Sequence, residues 1–290
     1  MTNGAGFHEV ADRVWVARYP WFDVNITLVA GSDGAVVVDT HASEVAVREV
    51  IDDLSRVAGL GRIVGVVNTH EHFDHTFGNA TLLDAFGVVP IHAHEVAAAR
   101  TAAAGERIKR RYVADLDDPH RAEVLATRVV PADHTFSSAT TLDLGDRLVE
   151  LSHPGRGHTG GDVVVWVPDA DVLLAGDLVE ESAPPAIGDD AYPLDWPQSL
   201  DVLLGSLGTR SVVVPGHGAV VDRAFVQRQR TDLGVVVETI RSLVERGVAV
   251  TDAFDAAEWP WPHEVLEAAI RRGYDQVGRT FEAPLHRGRS

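Results

Sequence analysis

Apolar positions along the chain follow two rhythms. Residues 14–16, 26–30 and 35–38 are short β-branched runs separated by turn residues, notably the GSDG of residues 31–34, and read as strands. A helical rhythm follows, with Val47, Val50, Ile51, Leu54 and Val57 on one face, Ser43 as N-cap and Gly59 as the stop. Residues 63–67 are continuously apolar, as a strand buried on both faces should be. Phe77, Ala80, Leu83 and Phe86 mark a second helix closed by Gly87. Residues 88–94 read as a strand and 96–113 as a helix. Strands return at 141–144, 148–151, 163–167 and 172–174, then a helix at 198–207 and a strand at 211–214. Residues 222–246 and 262–271 are helical, with Pro262 suited to a first helical position.

Two strand-rich halves, each ending in helices, predict an α/β protein with two sheets packed face to face and helices on both outer surfaces. The expected organisation is one domain over residues 1–222 and a helical extension, 223–290, packed on it.

Composition narrows the chemistry. The chain has 290 residues and no cysteine, so any metal must be held by histidine and carboxylate, a donor set suited to zinc, iron or manganese. A formal charge of −18 disfavours nucleic acid as a partner. No apolar run approaches the roughly 18 residues of a membrane span, and the first ten residues lack a signal-peptide pattern. A cytoplasmic protein acting on a small molecule is the expectation.

The segment NTHEHFDHTFGN, residues 68–79, places His70, His72, Asp74 and His75 within six positions. In an extended segment His70, His72 and Asp74 would share one side. Three further candidates, His158 in GRGHTGGD, Asp177 in LLAGDLV and His217 in VVVPGHGAV, each have a neighbouring glycine and are expected in loops just beyond strands. Seven ligands suffice for two ions. His70, His72 and His158 would hold the first, Asp74, His75 and His217 the second, and Asp177 would bridge them at about 3.5–4 Å.

This pattern resembles the metallo-β-lactamase superfamily over about residues 7–222, and it includes VVVDT at residues 36–40. The resemblance implies an αββα sandwich with metals at one edge, and an Asp39 that supports a metal ligand from behind. The family usually has glycine after Asp-Thr, where this chain has His41. True β-lactamases of the superfamily usually carry cysteine or serine where Asp177 stands, so the chain looks more like glyoxalase II-type thioester hydrolases, lactonases and related esterases.

The expected reaction is hydrolysis of a small ester, thioester or lactone by a hydroxide bridging two zinc ions. Asp74 would pass a proton to the leaving group. β-Lactam cleavage is the alternative within the class, and an iron-dependent persulfide dioxygenase-type enzyme the alternative outside it. Trp21 and Phe22 are candidates for an aromatic substrate wall, against simple packing. ERIKRR, residues 106–111, could attract an anionic substrate, against a solvated helix face. His92 and His94 read as structural, and Glu71 as exposed, against support of a ligand histidine.

Overall fold

The computed structural model describes residues 6–282, side chains to residue 278. Strands β1 (His8–Ala11), β2 (Val14–Tyr19), β3 (Val24–Gly31) and β4 (Gly34–Val38) form an antiparallel meander. Helix α1 (Ala46–Leu54) returns the chain to β5 (Ile63–Val67), which pairs parallel to β4. Ser43 Oγ accepts the Ala46 N–H at 2.9 Å, meeting one of the donors a helix start leaves open. The expected second helix is broken in two, α2 (Phe73–Thr76) and α3 (Asn79–Phe86), and Gly87 at φ +86° ends it. The expected strand at 88–94 begins only at Ile91. Val88 is 94% exposed, and β6 spans Ile91–His94.

Helices α4 (Glu95–Ala114) and α5 (Arg121–Ala126) precede β7 (His134–Phe136), the edge of the first half. The second half runs through β8 (Ala139–Asp143), β9 (Leu148–Ser152), β10 (Val164–Val167) and β11 (Val172–Glu180). Helix α6 (Trp196–Ser206) leads to β12 (Val212–His217) and β13 (Val221–Asp222), and α7 (Arg223–Glu245) and α8 (His263–Glu282) complete the described chain.

Alternation along these strands builds the layers. Val36, Val38 and Val67 of the first half meet Leu151, Val165, Leu174 and Val214 of the second in one buried cluster, the interior of the sandwich. The opposite faces turn outward: Val37, Ile26 and Val66 pack under α1 and α3, while Leu173, Ala175 and Val213 pack under α6, α7 and α8. That is the expected αββα order. The two halves are nevertheless one continuous ladder, ordered β7-β6-β5-β4-β3-β12-β11-β10-β9-β8. A single pairing, Val24 with His217, joins β3 to β12. Asn25 reinforces this seam, its Nδ2 donating to the carbonyls of Pro215 and Gly218, each at 2.9 Å. One of the predicted ligands therefore sits on the seam itself.

Candidate metal centre

Strands β4 and β5 run parallel, as do β11 and β12, so each parallel pair delivers its C-terminal ends to one rim of the sandwich. All seven predicted ligands arrive at that rim, by more varied routes than expected. His70 and His72 lie on the loop after β5, but Asp74 and His75 belong to the first turn of α2 rather than to an extended run. His158 sits on the loop between β9 and β10. Asp177 and His217 are inside strands, not beyond them. The reason is a break in the β11–β12 register around Gly176, whose φ is +51°. That irregularity re-aims the next side chain within the strand. A Cβ on Gly216 would lie 1.8 Å from Asp177 Oδ1, so glycine there makes room for the carboxylate.

The donor atoms of His70, His72, His158 and Asp177 lie within 4.8 Å of one another, as do those of Asp74, His75 and His217. Asp177 stands between the two groups. Its carboxylate is 3.3 Å from His158 Nε2 and 3.7 Å from His70 Nε2 on one side, and 3.2 Å from both His75 Nε2 and His217 Nε2 on the other.

Each histidine is oriented by its other ring nitrogen. His70 Nδ1 is 3.1 Å from Thr69 Oγ1, and His75 Nδ1 is 2.8 Å from Asp39 Oδ2. His158 Nδ1 faces the Ala186 carbonyl at 2.9 Å, and His217 Nδ1 the Phe22 carbonyl at 2.7 Å. His72 is turned the opposite way, with Nε2 3.3 Å from Asp190 and Nδ1 facing inward. A carbonyl or carboxylate outside sets the proton there and leaves the inner nitrogen a lone pair. Five inner nitrogens and two carboxylates thus converge. His70 Nε2 and Asp177 Oδ1 are buried with no hydrogen-bond partner. Buried polar atoms left unpaired cost about 1–3 kcal/mol each, and divalent cations would satisfy both, so the donor set fits metal.

The electrostatics agree. Burial opposes charge on His217, yet Asp177 and Asp74 lift it to about 10. Burial likewise opposes charge on His75, which Asp177, Asp39 and Asp74 hold well above the usual histidine range. Burial would raise Asp177, but His217 and His75 keep it far below the carboxylate range. Burial, with neighbouring His72, pushes His158 down to about 4 against the pull of Asp177. Without metal, a second proton on His75 and His217 would supply the positive charge that the carboxylates demand.

Asp39 occupies the expected supporting place. Its two oxygens accept Thr69 N–H and Thr69 Oγ1–H, each at 2.8 Å, besides facing His75. His41 adopts φ +80°, the left-handed region where glycine is free of strain. The side chain is held there by burial against Tyr19 and Trp21.

Four supporting groups were not singled out from the sequence. Asp190 and the Phe22 and Ala186 carbonyls lie on loops with no pattern of their own. Asp162 accepts Gly157 N–H and Thr159 N–H and O–H, closing the loop that carries His158. Its place at the end of GRGHTGGD was the available signal. Glu71 departs from expectation: it is 1% exposed, Oε2 has no partner, and Arg100 approaches at 3.7 Å. Its position between two inward-drawn histidines carries it into the interior.

A cavity of about 720 Å³ opens above the cluster. Phe22 lines it, with Phe73, Ile108 and Ile187. Trp21 does not; it stacks on His120 at 3.7 Å behind Phe22. Helix α4 roofs the cavity, bringing Arg107 and Arg111 of the basic run to its wall. His94 caps α4 through Val96 N–H and faces the Ser137 carbonyl, a structural role.

A family model described as the metallo-beta-lactamase superfamily matches residues 19–217. A metallo-beta-lactamase type 2 from Bacillus cereus is 31% identical over 198 residues, 67% of each chain. Among solved structures, a metallo-beta-lactamase from Pontibacter korlensis is similar at a TM-score of 0.64 and 23% identity, covering 80% of this chain and 99% of that one. A stereoselective inverting sec-alkylsulfatase from Pseudomonas sp. reaches a TM-score of 0.73 at 19% identity, covering 94% of this chain and 50% of its own. At these identities the two structures speak to the fold, while the family model spans every predicted ligand: the chain belongs to the metallo-β-lactamase superfamily of metal-dependent hydrolases.

Proposed function

We propose that the protein hydrolyses a small ester, thioester or lactone at a two-metal centre, with zinc the metal and iron or manganese compatible with the same donors. The carrying observation is Asp177, an anionic side chain between two complete groups of donors. His70, His72 and His158 would hold one ion, and Asp74, His75 and His217 the other, with Asp177 shared. Bound ions of this kind supply Lewis-acid polarisation of an acyl oxygen and water that ionises near pH 7.

The rest is done by the chain. Asp74 is the ligand carboxylate most open to the cavity, with 13% of its side chain exposed. Burial would raise its pKa, but His75 and His217 hold it well below the carboxylate range. It therefore reaches substrate ionised, and the oxygen that does not face His75 and His217 is free to take a proton and return it to the leaving group. Phe22, Phe73, Ile108 and Ile187 exclude water around the acyl portion.

Hydrolysis of β-lactams is a second reading, supported by the sequence relatives that carry that name. The carboxylate at position 177, where the resemblance to true β-lactamases would call for cysteine or serine, favours the ester reading. Elemental analysis of the purified protein, with a panel of a thioester, a lactone, an aryl ester and a chromogenic β-lactam, separates them. About two zinc ions per chain and metal-dependent cleavage of an ester class are expected. One iron per chain with an inert panel would refute the hydrolase.

A further inference from the structure

The acids around the cavity all have partners. Asp190 is paired with Arg107 at 2.7 Å and with His72, Asp189 with Arg271, and Glu180 accepts Ala186 N–H. Of the basic run, Lys109 donates to the Thr127 carbonyl at 2.6 Å. Arg111 differs. It lines the cavity, and among the described residues its guanidinium makes no hydrogen bond or ion pair.

Two nearby acids accept backbone N–H groups. Asp115 Oδ1 accepts Asp117 N–H at 3.3 Å, and Asp118 Oδ1 accepts His120 N–H at 2.7 Å. Arg111 also borders an adjoining hollow of about 310 Å³, lined by Phe22, Phe73, Ile108 and Tyr112 together with Asp115 and Asp118. Phe22, Phe73, Ile108 and Arg111 line both spaces, so the hollow is an annexe of the catalytic cavity. Phe73 meets Phe22 and Tyr112 edge-to-face, at 5.4 and 6.0 Å between centroids, which braces this wall.

We infer that the cavity selects substrates carrying an oxyanion on an apolar body, the oxyanion (carboxylate or sulfonate) pairing with Arg111 and the body lying on Phe22, Phe73 and Ile108. This rests on the hydrolase reading for the fate of the ligand, but not for its binding. A guanidinium presents a planar fork that matches such groups with two donors, and beside an apolar wall the pairing is less screened than in open water. Arg107 and Arg111 stand one helical turn apart, and Arg107 is already committed, so the subsite takes one anionic group rather than two.

Calorimetry with 3-phenylpropane-1-sulfonate and 3-phenylpropan-1-ol tests this on the protein as purified with its metals. Sulfonate is a poor metal ligand, so the probe reports on the wall rather than on the ions. Wild-type protein should bind the sulfonate about tenfold more tightly than the alcohol. Arg111→Ala should erase that preference and leave the alcohol unchanged, and Arg111→Lys should restore part of it. Equal binding of the two probes by wild type, or an Arg111→Ala effect that is the same for both, overturns the proposal. In parallel, turnover of p-nitrophenyl hemiglutarate should lose about tenfold in kcat/KM through KM in Arg111→Ala, with p-nitrophenyl valerate unaffected. Charge-selective binding without turnover of any ester would sink the hydrolase reading and leave the subsite standing.

Discussion

Asp39→Asn is the sharpest test of how the centre is built. The substitution keeps size and shape at a site that is 2% exposed, so packing is preserved. It removes one acceptor from a carboxylate that serves Thr69 N, Thr69 Oγ1 and His75 Nδ1, all at 2.8 Å. If the amide keeps its oxygen on the Thr69 backbone, its nitrogen faces Thr69 Oγ1 and His75 Nδ1. The hydroxyl can rotate and accept. His75 must instead move its proton to Nε2, the atom aimed at Asp177 and His217. A protonated Nε2 cannot bind metal. Partners of this kind are worth about 10–100-fold in metal affinity, or about 1.4–2.7 kcal/mol. The loss should fall on the ion held by Asp74, His75 and His217, while that of His70, His72 and His158 keeps its affinity. Competitive titration with a chromophoric chelator reads the two affinities separately, and circular dichroism should show an unchanged fold. Two wild-type affinities in Asp39→Asn would refute the account of His75.

Other outcomes follow from the same geometry. Gly216→Ala should cut activity at least a hundredfold, because the added Cβ displaces Asp177, at a stability cost of about 1–3 kcal/mol in thermal melts. Wild-type turnover would mean that Asp177 is dispensable. Metal uptake at pH 7 should release protons, since His217 titrates near 10 and His75 is also raised; affinity should therefore climb with pH, and heats of binding should vary with the buffer's ionisation enthalpy. Chelation should lower Tm and reloading restore it, by mass action on the folded state. Arg272 donates to the Ala191 carbonyl at 2.8 and 3.0 Å, and Gln276 accepts Leu194 N–H, so α8 braces the loop that carries Asp190. Arg272→Ala should raise KM several-fold with Tm changed by only a few degrees, and an unchanged KM would deny that role to the C-terminal helix.

Much of the centre was legible in the chain because its ligands are chemically distinctive and locally spaced. HEHFDH announces itself, and three glycine-flanked ligands in order complete the set. The grouping of His70, His72 and His158 apart from Asp74, His75 and His217 also matches the distances found. The apolar runs at residues 35–38, 63–67 and 163–167 predicted strands, the second of them with two buried faces, and the faces of these strands became the sandwich interior and the helix-covered exterior. Hydrophobic period and ligand identity are local properties, and they survive without a partner.

Other features depended on what the fold brings together. Asp177 was expected in a loop, yet it lies within β11, because a register break against β12 turns it inward; no local pattern records a strand's register with a distant neighbour. Asp190 reaches His72 from 118 positions away, and the Phe22 carbonyl reaches His217 from 195 positions away. A backbone carbonyl has no side-chain signature at all. Glu71, read as exposed, is buried because its two neighbours are drawn to the centre. Arg111 belongs to a basic run that resembled a solvated helix face, and only the placement of α4 over the cavity sets it beside substrate. Residue type determined which atoms can bind metal; the closing of the two strand-rich halves at the rim decided which atoms orient them and which charge is left unpaired.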